Sequence, residues 1–218
     1  MNTHVEVART QMVNQQVRAS NVLDSAVLAV LAAVPRERFV PARFRALAFA
    51  ETAIRLPCGQ AMLTPQVEGR LLQALSLATA DHVLEVGTGS GFLTACLARL
   101  AGAVTSVEIF PELADGARTL LRESRVRNAE VAVQDVFQLQ PDTRFDAIAV
   151  TGSIPAYDQR FQTWLSIGGR LFIVVGEPPV MEACLVRRLS ETEWASETLF
   201  ETVIPPLLNA AQPPKFVF

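Results

Sequence analysis

The chain reads as a doubly wound α/β protein with a mostly parallel sheet, and three observations carry that reading. Between 82 and 176, short apolar runs alternate with segments whose apolar residues recur at three- and four-residue spacing, the pattern of successive βαβ units. The run His82–Val86 breaks into glycines on alternate positions, Gly87, Gly89 and Gly91, and helical spacing resumes at Phe92. That is a strand, a tight turn and a helix, with glycines where a ligand would approach the backbone. Phe145–Val150 is apolar almost throughout, as a central strand covered on both faces must be.

At 218 residues the chain is long enough for a substantial core and short for two domains of usual size, so one domain over 1–218 is expected. Within it, 1–80 would form N-terminal helices and a loop, and 81–218 the sheet core. Half of the residues are hydrophobic and 19% charged, without an apolar run of membrane-spanning length. The first residues carry no basic cluster followed by an apolar stretch, so a cytoplasmic protein is expected. A net charge of −3 without a lysine-rich or arginine-rich run argues against nucleic acid as a partner. Cys58, Cys96 and Cys184 are scattered, odd in number and without C-x-x-C spacing, which speaks against a disulfide framework and a zinc site. With His4 and His82 as the two histidines, a metal site or a Ser-His-Asp triad lacks material, and His82 reads as structural.

Taken in order, residues 6–34 predict two helices, from Val13, Val17, Val27, Leu28, Leu31 and Val34, with a break near Ser20-Asn21 and an N-cap at Asp24. Pro35 ends the second, and Pro35 to Pro41 is a proline-bracketed turn. After Pro65, the spacing of Val67, Leu71, Leu72, Leu75 and Leu77 predicts a core-packing helix that feeds the first sheet strand.

The glycine turn is not a dinucleotide fingerprint, since the third glycine of G-x-G-x-x-G would fall on Phe92. Glu85, two residues before Gly87, is a poor neighbour for pyrophosphate and a good one for a sulfonium or ammonium cation. That favours S-adenosylmethionine over NAD. A second strand, Val104–Glu108, ends in an acid about twenty residues past Gly87, placed to accept both ribose hydroxyls. A helix from Pro111 to about Arg125 follows, then a strand over 130–134 ending at Asp135. After the 145–150 strand, the turn Thr151–Pro155 lies at a carboxyl end, where open α/β sheets bind ligands. A helix through Phe161, Trp164 and Leu165 leads by Gly168-Gly169 to a strand over 170–176, and 183–190 with 197–204 read as a closing antiparallel pair.

The wording Glu85-x-Gly87-x-Gly89-x-Gly91 resembles the first motif of class I S-adenosylmethionine-dependent methyltransferases. More specifically, Met12–Arg18, Asp24, Val27-Leu28 and Val34-Pro35-Arg36-Glu37-Arg38-Phe39-Val40-Pro41 resemble the N-terminal region of protein-L-isoaspartate O-methyltransferases. The resemblance implies the Rossmann-like, seven-stranded methyltransferase fold with an N-terminal helical extension. It implies S-adenosylmethionine as methyl donor, held by Leu63, Glu85, Gly87, Gly89, Glu108, Asp135 and Val136. Gln60, Ala61, Met62 and Thr64 would then belong to the substrate loop. The acceptor would be the free carboxylate of an isoaspartyl residue in a protein or peptide, or else a small carboxylate, and the protein a monomer. Where the family loop carries a threonine and a serine beside the methyl donor and the incoming carboxylate, this chain has Ala61 and Leu63. Thr64 is one residue away, and neighbours in an extended loop point in opposite directions. No catalytic acid or base is assigned, because a carboxylate is already ionised at neutral pH.

Overall fold

Asn21 takes a left-handed φ of 67° in the computed structural model, which describes residues 3 to 212, and there the first helical stretch ends. That stretch is α1, Thr3–Gln11, extended by a wider-wound segment over Met12–Val17 and a tight turn at Arg18–Ser20. Helix α2, Ser25–Ala33, is capped as expected by Asp24, whose carboxylate accepts from the N–H groups of Ala26 and Val27 at 2.8 and 3.1 Å. Between the two prolines the chain winds into one helical turn, α3, Arg36–Phe39, and a second tight turn covers Ala42–Leu47. β1, Ile54–Arg55, and β2, Ala61–Met62, pair antiparallel as a small hairpin. Helix α4, Pro65–Leu75, stops two residues short of Leu77, because Ser76 turns left-handed.

The main sheet is seven-stranded: β3 (His82–Val86), β4 (Ala103–Glu108), β5 (Ala129–Val133), β6 (Phe145–Ile154), β7 (Leu165–Glu177), β8 (Val180–Arg188) and β9 (Trp194–Glu201). Its order is β5-β4-β3-β6-β7-β8-β9, parallel from β5 through β7 and antiparallel at both β7-β8 and β8-β9. Helices α5 (Phe92–Leu100), α6 (Pro111–Glu123) and the single turn α7 (Arg160–Thr163) connect the parallel strands.

Further boundaries differ from the sequence reading: α6 ends two residues early, at Glu123, and β5 begins and ends one residue early. The segment after Val150 is strand rather than turn, because residues 153 and 154 pair with β7 past a bulge. The chain's last described stretch also docks there: Ser153 N–H donates to Pro205 O, and Leu207 N–H to Ser153 O, at 2.9 and 2.8 Å. The helix through Leu165 is a single turn, since Phe145 N–H takes the Trp164 carbonyl at 2.8 Å and starts β7 early, with the Gly168-Gly169 pair inside it. The closing pair begins three residues earlier on each strand than expected. Residues 213–218, with Pro213-Pro214, lie outside the described residues.

Successive side chains of β3 alternate between two apolar layers. Val83 packs with Phe92, Leu97 and the N-terminal helices, while Leu84 and Val86 pack with Ile148, Val150 and Phe161. This alternation decides which carboxylate can reach a ligand.

Candidate functional site

A cleft opens at the carboxyl ends of the parallel strands. Chain order reverses there, as β4 and β5 lie on one side of β3 and β6 on the other. Its floor is the turn after β3. Gly87 has φ +93°, and a Cβ on it would lie 2.3 Å from Thr151 Oγ1, so no side chain fits. The Thr151 hydroxyl sits 2.8 Å from the carbonyl oxygens of both Val86 and Gly87 and ties β6 to the turn. Gly87 and Gly89 both line the cleft.

Glu108, at the end of β4, also lines it and is 5% exposed. Its Oε2 accepts the Gly89 N–H at 2.9 Å and its Oε1 the Phe110 N–H at 3.1 Å. The carboxylate is thus oriented by backbone, and each oxygen keeps lone-pair capacity for a hydroxyl. Asp135, after β5, accepts from Phe137 N–H and from the Asn209 side-chain amide at 2.9 and 2.8 Å, and Val136 presents an apolar wall beside it. An acid at the end of β4, an apolar wall at Val136 and a floor opened by Gly87 and Gly89 fit a nucleoside-bearing methyl donor.

Glu85 is not part of this constellation. Strand alternation turns its side chain away from the cleft and under α5, where it is fully buried. Its Oε2 accepts from Thr94 and Ser106 hydroxyls at 2.5 and 2.6 Å, Ser106 in turn meets Thr88 at 2.6 Å, and Oε1 has no partner. Burial pushes its carboxyl up to about 8 against the pull of those hydroxyls. A group that holds its proton at neutral pH is a poor counter-charge for a cation, so the expectation that Glu85 faces the ligand is corrected.

The 56–63 loop forms the opposite wall. Leu56, Gln60, Ala61, Met62 and Leu63 line the cleft, and the hairpin of β1 and β2 presents them. Thr64 does not line it: its hydroxyl lies 3.5 Å from the Val67 N–H and caps α4. Behind the loop lies fully buried Arg36, which donates from Nε to Ala48 O at 2.9 Å and from Nη2 to Leu63 O at 2.8 Å. Its Nη1 pairs with Glu68 Oε2, and its guanidinium stacks 4.7 Å from the centroid of the Phe92 ring.

Glu68, Thr151, Leu93 and the segment Pro205–Leu208 also line the cleft. Of these, the sequence reading placed the Thr151 segment at the pocket and missed the rest. The signal for Glu68 was present: an acid sits on the face that Pro65, Leu72 and Leu75 bury. Leu207 had none, for it reaches the cleft by packing on Gly152, fifty-odd positions earlier.

The family model for Protein-L-isoaspartate(D-aspartate) O-methyltransferase (PCMT) matches residues 7–211. The chain is similar to Protein-L-isoaspartate O-methyltransferase 2 of Pelobacter propionicus, with 37% identity over 94% of this chain and 92% of that one. It is also similar to Protein-L-isoaspartate O-methyltransferase 1 of Anaeromyxobacter sp., with 40% identity over 78% and 81% of the two chains. Its fold matches that of a Plasmodium falciparum beta-aspartate methyltransferase (PCMT) solved in complex with S-adenosyl-L-homocysteine. That match has a TM-score of 0.81, at 18% identity, over 91% of this chain and 97% of that one. With the family model spanning nearly the whole chain, and the glycine turn meeting the 56–63 loop in one cleft, the chain belongs to the protein-L-isoaspartate(D-aspartate) O-methyltransferase family.

Proposed function

We propose that this chain transfers the methyl group of S-adenosylmethionine to the free carboxylate of an isoaspartyl residue in a protein or peptide. The observation that carries the reading is the meeting of the 56–63 loop with the Gly87 turn and Glu108 in one cleft. Bound there, S-adenosylmethionine supplies an electrophilic methyl group on a cationic sulfur. The acceptor oxygen forms the new O–CH3 bond, the S–CH3 electron pair stays on sulfur, and no proton moves. Because a carboxylate with a pKa near ~4 is ionised at neutral pH, no residue has to act as a general base. The protein's work is positioning and exclusion of water. Glu108 and Asp135 orient the nucleoside, Thr151 holds the turn, and Leu56, Met62, Leu63 and Leu207 surround the reacting end with apolar surface. Such positioning is worth up to roughly 7–11 kcal/mol in well-oriented systems. The reading extends to a monomer of one domain over 1–218 acting in the cytoplasm. It fits the free thiols of Cys58, Cys96 and Cys184 and the lack, among the described residues, of a helix long and apolar enough to cross a membrane.

One observation favours a second reading with the same donor. Ala61 and Leu63 put no hydroxyl on the loop wall, so the acceptor end is apolar and suits another carboxylate or small molecule. Methyl transfer from labelled S-adenosylmethionine should be measured to an isoaspartyl peptide, to its matched aspartyl peptide and to a metabolite extract. Transfer to the isoaspartyl peptide alone is expected. Transfer confined to the extract would replace the first reading with the second, and transfer to none would leave a binding protein.

A further inference from the structure

Three carboxylates line the cleft, and two of them are engaged on both oxygens. Glu108 accepts from Gly89 and Phe110, and Asp135 from Phe137 and Asn209. Glu68 differs. Its side chain is 3% exposed, Arg36 holds Oε2, and among the described residues nothing donates to Oε1. Glu68 is 2% exposed and lines the cleft, so the small surface that it keeps, with Oε2 taken by Arg36, is what a ligand in the cleft meets. An acceptor that is left open on an otherwise enclosed side chain has room for one donor, and a ligand in the cleft can bring it.

Its position says which part of the ligand arrives. The Arg36 guanidinium that holds Glu68 also binds Leu63 O and stacks on Phe92, the first residue of α5. Glu68 therefore stands beside the glycine turn and the loop, whereas Glu108 and Asp135 lie along the sheet at the ends of β4 and β5. With ribose at Glu108 and adenine at Asp135, the remaining part of S-adenosylmethionine, its amino-acid end, falls on the Glu68 side. That end is a zwitterion. Its carboxylate is suited to the positive end of the α5 dipole, and its ammonium group needs an acceptor.

We propose that Glu68 Oε1 accepts a hydrogen bond from the α-ammonium group of the methyl donor, the place that sequence spacing assigns to Glu85. The proposal rests on the cofactor reading above and adds a named ligand contact to it. Arg36 orients the carboxyl and leaves Oε1 free, so a single cation completes the site.

Burial pushes the Glu68 carboxyl up to about 7, Arg36 opposes that rise, and Glu51 adds to it. Glu85 from β3 and Cys96 from α5 also feel its charge. Near neutrality the free protein carries a proton on Glu68 part of the time, and a bound ammonium group favours the ionised form. Binding then releases a proton. Affinity for S-adenosylhomocysteine rises as pH increases from 6 to 8 and levels off above.

Calorimetry with S-adenosylhomocysteine and with 5′-methylthioadenosine, which has the nucleoside but no amino-acid end, tests this without any turnover. Glu68→Gln should weaken S-adenosylhomocysteine by about ten- to a hundredfold, the range for a hydrogen bond to a charged group, and leave 5′-methylthioadenosine unchanged. In the unmodified protein, proton release read from buffers of different ionisation enthalpy should accompany the first ligand and not the second. Equal loss of both ligands in Glu68→Gln would assign the residue a structural role and overturn the proposal. If that variant does not fold, proton release by the unmodified protein decides: the same release with both ligands, or none, overturns it. Failure of the unmodified protein to bind either ligand would instead remove the cofactor reading, and the proposal with it.

Discussion

At the scale of single residues, two glutamates seventeen positions apart in sequence take places that their spacing does not suggest. Glu85 stands next to the glycines in sequence, yet its carboxyl lies under α5 with Thr94 and Ser106, while Glu68, on a helix that reads as packing, reaches the cleft. The burial of Glu85 has a consequence for stability. Its folded-state pKa, about 8, is raised above the ordinary 4.5, so the folded state binds this proton more strongly than the unfolded chain does. The resulting penalty is absent below the ordinary value, grows between the two and is complete above about pH 8. Glu68, raised to about 7, acts with the same sign. Urea midpoints should therefore fall from pH 5 to pH 9, and Glu85→Gln, which has no proton to lose, should flatten that fall by roughly 2–4 kcal/mol. Parallel pH profiles for the two proteins would show Glu85 to be ionised and compensated in the fold.

At the scale of elements, the β1-β2 hairpin and Leu63 after it form the cleft wall that, in the proposed reaction, would meet the acceptor. The Leu63 carbonyl is held by Arg36, so the backbone path of the loop is anchored independently of what its side chains are. Hydroxyls can be placed on that path by Ala61→Thr and Leu63→Ser. If the acceptor is an isoaspartyl carboxylate, each new donor to its charge is expected to raise kcat/KM by roughly ten- to a hundredfold. Affinity for S-adenosylhomocysteine should stay within a few-fold. Leu63 is 8% exposed, so its replacement removes about 1.5–3 kcal/mol of apolar burial, to be checked in the same urea series. A drop in turnover of isoaspartyl peptide by the folded double variant would mean that the apolar wall is itself the specificity device. Thr64 is no substitute for either hydroxyl, because it is committed to the first turn of α4.

At the scale of the whole molecule, Arg36 joins parts of the chain that are far apart in sequence. From α3 it reaches the carbonyl of Ala48, the carbonyl of Leu63, the carboxyl of Glu68 on α4 and the ring of Phe92 on α5. It couples the N-terminal helices and the loop to the sheet core. Arg36→Leu would leave Glu68 buried without its partner and the carbonyls of Ala48 and Leu63 short of a donor. The expected destabilisation is about 3–5 kcal/mol in urea unfolding. Arg36→Leu with Glu68→Leu should recover part of it, since the uncompensated carboxyl is then gone. No recovery in the double variant would place the loss in the contacts to Ala48 and Leu63 rather than in the ion pair.

Amino-acid order by itself determined the strand and helix alternation, the glycine turn, the Asp24 cap, and Glu108 and Asp135 at strand ends, because each follows from local spacing along a single element. It also carried the N-terminal and glycine-turn wording by which the family is recognisable. Tertiary structure alone decided which face of β3 receives Glu85, since that depends on what packs above each face of the sheet. It alone brought Glu68 and the Pro205–Leu208 segment into the cleft and kept 151–154 in strand form, through bonds from Ser153 to residues 205 and 207. Those contacts join positions separated by dozens of residues, and periodicity within one element does not encode them.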